Sequence, residues 1–255
     1  MESNFVSVGS IVRKIWGSSD TVLLIFAGAS AEFALNKAVD WLYFTGRLPA
    51  DPIGRLFSTV RYAQAIVFAE EGRAFAAIDQ ITTIHRGVEA ARGARIPDEA
   101  YLDVLFMLID YSVRSFELLE RRLSMAEKAE VFEVFYRLGL RMGLKGLPGN
   151  YPDWEVMRAE YLAENLVRSG FTTDLYKRYR ESLGMVRYRV LLYGQALLAP
   201  GRVRGLLGLR GRGMVYPIAW VYKVVRLLRM DGLIKAILLP RAYKAEVAGL
   251  ERDGD

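Results

Sequence analysis

One histidine, His85, and no cysteine among 255 residues restrict what this chain can do chemically. Metal sites built from several His or Cys ligands cannot be assembled within one chain. A catalytic triad would have to use this imidazole, and thiol nucleophiles and iron–sulfur ligation are excluded. Di-iron helical bundles need two Glu-x-x-His pairs, which one histidine cannot supply. A cofactor held through a single protein ligand, such as haem, is compatible with the composition. His85 lies in Gln80-Ile-Thr-Thr-Ile-His85-Arg-Gly-Val88, where Ile78, Ile81, His85 and Val88 recur every three or four residues. On a helix these form one stripe, so the imidazole is expected to point inward, where it must find a partner. Taken alone, that pattern also describes a core histidine bonded to a carbonyl or carboxylate. Upstream, Arg55 and Thr59 are four apart and share a helical face, with Ser58 beside them and Tyr62 one turn on. Such a face presents a guanidinium with hydroxyls, although an ion pair of Arg55 with Asp51 or Asp40 is an equally simple reading.

The elements that must position these residues read as helices throughout. Asp51-Pro52 combines an N-cap with a first-turn proline and predicts a helix to about Glu70, followed after Gly72 by a second to about Ala91. Pro97-Asp98 opens another, with apolar positions from Leu102 through Leu105, Phe106, Ile109 and Val113 to Leu119. Ser124 with Glu127 forms a capping box before the run Val131 to Leu144, and Gly146-Leu-Pro-Gly-Asn-Tyr-Pro152 breaks the chain. Further helical runs are expected over Asp153 to Val167, Thr173 to Leu198, Tyr216 to Arg229 and Asp231 to Leu239. The glycine-rich stretch 200–213 reads as a basic connector or a short interrupted helix. Strand signals are scarce and no repeat of fixed period occurs. The expectation is therefore an all-α fold: a single multi-helix globular domain over 1–255.

A hydrophobic fraction of 52% supplies ample core for such a domain. The absence of cysteine suits a reducing compartment, and the N-terminus lacks the basic start and apolar run of a signal peptide, so a cytoplasmic location is expected. Apolar runs are too short or interrupted to cross a bilayer. Net charge is +6, but between Tyr176 and Lys244 fifteen lysines and arginines face only Glu181 and Asp231. That asymmetry suits an anionic membrane surface, acidic groups of a cofactor, or nucleic acid, and equally a solvated basic face. Nucleic acid is not expected, because no recognition motif accompanies the charge. Gly28-Ala-Ser30-Ala-Glu32 lacks the last glycine of a nucleophile elbow and is assigned to helix packing.

In order and spacing, Arg55-Leu-Phe-Ser-Thr59, Glu71-Gly72-Arg-Ala, His85-Arg-Gly-Val88, the Tyr101 segment, Leu144-Lys-Gly-Leu-Pro148 with Trp154 and Tyr161, and Leu183-Gly-Met-Val-Arg-Tyr-Arg-Val-Leu-Leu192 ending at Pro200 resemble the MpaB and latex-clearing-protein family of oxygenases. The resemblance runs from about 16 to 209, leaving 210–255 as a basic helical extension. It implies an all-helical fold around haem b, with His85 as the iron ligand and Arg55 and Thr59 on the opposite side of the haem. It also implies dioxygen as co-substrate and cleavage of carbon–carbon double bonds in a hydrophobic, isoprenoid-like substrate. Two departures stand out. Latex-clearing proteins carry a lysine just before the distal threonine, where this chain has Ser58. They also place an acid on the preceding helix, where this chain offers Asp40 without a clean alignment and Glu32 about two turns earlier. The alternative reading is a non-catalytic helical carrier or interaction protein at a membrane surface.

Overall fold

A computed structural model of the chain describes residues 3–209. The helices expected over 216–229 and 231–239, and the basic extension 210–255, lie outside the described residues. Within them the chain is all-helical: α1 (Ile11–Gly17), α2 (Ser19–Phe33), a short 3-10 turn (Lys37–Val39), α3 (Asp40–Phe44), α4 (Arg47–Ala50), α5 (Pro52–Val67), α6 (Glu71–Arg92), α7 (Asp98–Leu119), α8 (Met125–Met142), α9 (Tyr151–Glu164), α10 (Gly170–Leu198) and α11 (Gly201–Leu207). Extended pairing among the described residues is confined to two isolated bridges, Asn4 with Glu70 and Asn36 with Leu166.

Local signals set most boundaries. The Asp51 carboxylate accepts from Gly54 N at 2.8 Å, and Pro52 occupies the first turn of α5. At the start of α8, Ser124 and Glu127 complete a reciprocal capping box. The run expected from Thr173 begins three residues earlier, behind a Ser169–Thr172 capping box, and is broken at Gly184 (φ 71°, ψ 168°) into two helical halves. Only glycine adopts that conformation without strain, so the kink is written into one residue. The glycine-rich stretch after Pro200 resolves into α11, closed by left-handed Gly208.

α2 lies at the centre, packed most extensively on α7. Their approach depends on Gly28: a Cβ there would stand 2.2 Å from Cδ1 of Tyr111, whose ring is fully buried. The glycine of the Gly28-x-Ser30 segment thus serves packing, as expected. Around this pair the core also buries Trp16, Phe106, Phe135 and Tyr179.

One set of buried polar side chains forms a connected network across α2, α7 and α9. Arg158 of α9, 4% exposed, donates to Glu32 Oε2 at 2.6 Å and to Asp110 Oδ2 at 3.0 Å. Tyr111 also donates its hydroxyl to Glu32 at 3.0 Å, and Arg114 pairs with the other oxygen of Asp110. Burial opposes the Arg158 charge, but Glu32 and Asp110 outweigh it and hold the guanidinium protonated. A buried ion pair contributes little net stability while intact, but removing one partner strands a charge and costs several kcal/mol, roughly 3 to 5.

Candidate functional site

The first half of the histidine-bearing helix is tied down by the N-terminal segment and by α8. Chain segment 3–5 pairs with the α5–α6 junction: Phe5 N donates to Ala69 O at 3.1 Å and Glu71 N to Ser3 O at 2.9 Å. Arg137 packs its guanidinium 4.3 Å over Phe5, while Arg141 forms a bidentate pair with Asp79 at 2.6 and 2.8 Å. All of these contacts hold the first half of α6, whose only fully buried residues are Ala74 and Ile78. Beyond Ile81 every residue is half-buried or exposed. His85 therefore sits on the less buried second half of α6.

His85 is half-buried, less enclosed than its apolar stripe predicts. Burial nevertheless reaches the ring. Its Nδ1 is inaccessible to solvent and has no hydrogen-bond partner. Burial pushes the imidazole pKa down, the positive charge of Arg55 pushes it further down, and Glu89 pulls it partly back. The first two effects win, so the ring is neutral at physiological pH and keeps a lone pair for coordination. The influence of Arg55 also establishes that α5 and α6 bring Arg55 and His85 into one electrostatic neighbourhood, although they lie thirty positions apart in sequence.

On α5, Arg55 Nη1 donates to Ser58 Oγ at 3.0 Å, and Thr59 Oγ1 donates to the Arg55 carbonyl at 3.2 Å. The face deduced from the spacing of four thus exists, with both side chains half-buried. Ser58 supports the guanidinium. Thr59 spends its proton on the backbone and retains its oxygen lone pairs.

Tyr101, whose segment the sequence singled out, and Glu89, which it did not, stand beside His85. Tyr101, at the start of α7, packs its ring against the imidazole with centroids 5.1 Å apart. Glu89, one turn beyond His85, accepts from Ile96 N at 2.9 Å and from the Tyr101 hydroxyl at 3.4 Å. Burial, then Glu89, raise the Tyr101 pKa, so its hydroxyl remains a donor. The i,i+4 spacing of His85 and Glu89 was the available signal for this pair.

The two acids considered near the site have different fates. Glu32 belongs to the Arg158 network and is 1% exposed, far from free for proton transfer. Asp40 takes Arg92 at 2.6 Å, and the same guanidinium lies 3.9 Å over Trp41, fastening the far end of α6 to α3. Arg55 is not the partner of Asp40. Asp40 and Trp41 also line an open cleft of about 300 Å³ with Glu99, Asn36, Asp103 and Asn165. At its base Asp103 Oδ2 accepts from Asn36 Nδ2 at 2.8 Å and Asn165 Nδ2 at 3.1 Å. Burial raises its pKa to about 6, while the two amides restrain the rise.

Among the described residues no three His, Asp or Glu side chains converge as a multi-ligand metal centre, and no helix is long and apolar enough to cross a membrane. The residues fit a cofactor held through one imidazole: a neutral ring, a buried nitrogen left unsatisfied by protein, and a cation with hydroxyls nearby. Against known sequences, residues 14–229 match the family described as ER-bound oxygenase mpaB/B'/Rubber oxygenase, catalytic domain. Neither a curated protein nor a solved structure matches the chain.

Proposed function

The chain belongs to the mpaB and rubber-oxygenase catalytic-domain family, which supports an oxygenase-type function, and from that premise we propose that it is a haem b-dependent oxygenase acting on a hydrophobic, isoprenoid-like substrate. The observation that carries the proposal is the buried, unpartnered Nδ1 on a His85 ring kept neutral by burial and by Arg55. A buried polar atom without a partner costs about 1 to 3 kcal/mol, a cost that functional sites commonly retain. When bound, haem b supplies the iron at which dioxygen is activated for insertion into a carbon skeleton.

His85 would ligate that iron. Its neutral form is the one able to do so, and Tyr101 with Glu89 restrict the ring from turning. Arg55 presents a fixed positive charge in a partly dry setting, where it stabilises negative charge developing on oxygen. Ser58 limits the rotamers of Arg55, and Thr59 contributes a hydroxyl oxygen one turn along the same face. Asp40, held by Arg92 at the open cleft, is the carboxylate nearest the family's acid in sequence and is accessible as Glu32 is not.

The test is the absorption spectrum of chain produced with adequate haem. A Soret band in the parent protein and its loss in a folded His85→Ala variant are expected. A well-folded, haem-supplied protein without the band, or a variant with an unchanged band, would overturn the assignment. Arg55→Ala should retain the pigment while slowing product formation on a polyisoprenoid about 100-fold or more.

A further inference from the structure

Past its kink at Gly184, α10 is apolar on both faces, which a helix lying on a water-facing surface should not be. The inward side is accounted for. Tyr188 and Leu191 pack on the core, a Cβ on Gly194 would stand 3.3 Å from Ala27 of α2, and Gln195 donates to Ser30 Oγ at 3.0 Å. Half a turn away, at spacings of four and three, Val186, Val190 and Tyr193 are 70%, 40% and 46% exposed, and Met185 beside them 49%. Isolated exposed apolar residues need no explanation, but four within nine residues on one helical face do.

The charges around this stripe say what covers it. Arg189 lies within it and is exposed, and Arg180 flanks it before the kink. Glu181, paired with Lys177, is the last acid before the stripe, and from Ser182 to Leu209, the last described residue, there is no aspartate or glutamate. A protein partner with an apolar patch would be matched by a rim of both signs. A face that is apolar, arginine-bearing and free of acids matches the boundary of an anionic bilayer, where aliphatic side chains enter the acyl region and guanidinium groups meet phosphates. Tyr193 has the amphipathic shape favoured at that depth.

We infer that the outward face of α10, residues 185–193, docks the protein onto an anionic lipid surface as a peripheral contact. This does not rest on haem binding: the surface exists whether or not His85 ligates iron. The test uses the full chain with vesicles of phosphatidylcholine alone or containing phosphatidylserine. Flotation with the anionic vesicles, weakening as salt is raised, is expected, with little on neutral ones. Val186→Asp with Val190→Asp should reduce that partition more than about tenfold, and Arg189→Gln about fivefold. Residues 210–255 stay intact in both variants, so undiminished binding would assign attachment to another region and overturn the inference, as would failure of the parent chain to bind. Because the chain has no cysteine, a Val186→Cys variant can carry a polarity-sensitive dye at one site. Its emission should shift to the blue on anionic vesicles while that of Val156→Cys, equally exposed on α9, does not. Equal responses at the two sites would also overturn the inference.

Discussion

The Arg158 network and the His85 end of α6 both place ionisable groups out of water, yet they treat them oppositely. Around Arg158 every charge is matched, by Glu32, Asp110, Tyr111 and Arg114, and the helices contributing them surround the network on all sides. His85 is less buried but has a ring nitrogen that nothing in the protein satisfies, on the half of α6 without a fully buried residue. The contrast separates polar groups that specify how helices assemble from a buried polar atom that no protein group satisfies. Burial alone would rank them in the wrong order.

Substitutions can sharpen or destroy that contrast. The largest effect is expected from Arg158→Met, which leaves Glu32 and Asp110 facing each other without a cation. Denaturant unfolding should show a loss of about 3 to 5 kcal/mol. A loss below about 1 kcal/mol would mean that the network is not an assembly device. Gly28→Ala comes next: alanine favours a helix by up to about 1 kcal/mol, but a Cβ 2.2 Å from the Tyr111 ring overrides that gain. A net loss of about 1 to 3 kcal/mol in the same measurement is expected.

A smaller, pH-dependent effect is expected at Asp103, which folding raises from 3.8 to about 6. Between those values the folded state binds more protons than the unfolded one, so this group's contribution is present at low pH and is lost as pH rises through about 6. Asp103→Asn keeps an acceptor for Asn36 or Asn165 without the titration. Relative to the parent it should gain roughly 2 kcal/mol of stability between pH 4 and pH 7. Parallel stability curves would show that Asp103 does not titrate in that window. The smallest change in stability belongs to His85→Ala, within about 1 kcal/mol, because the ring has no hydrogen bond to lose and stands on a partly exposed face. A loss as large as that for Arg158→Met would erase the distinction between the two regions.

Sequence periodicity and caps were sufficient for the helical architecture because both are local. Asp51 with Pro52, and Ser124 with Glu127, act within a single turn. The kink of α10 was not legible, since an isolated glycine in a periodic run tells nothing of its φ angle. The Arg158 network was hidden for another reason: its members lie 48 and 126 positions apart and become partners only after α2, α7 and α9 pack. The Arg55–Thr59 face and the His85 stripe were readable from spacing. The shallow burial of the second half of α6 was not, because a helical stripe records which residues want cover and leaves open how much cover arrives. Glu89 and Tyr101 acquire their roles for the same reason, through contact across the turn from α6 to α7.

The close approach of Gly28 to Tyr111 has an evolutionary corollary. An aromatic ring that occupies the space a methyl group would need ties the two positions into one inherited unit. Homologues with a larger residue at the first should have given up the ring at the second, so a deep alignment ought to display correlated replacement at these two columns even where His85 itself never changes.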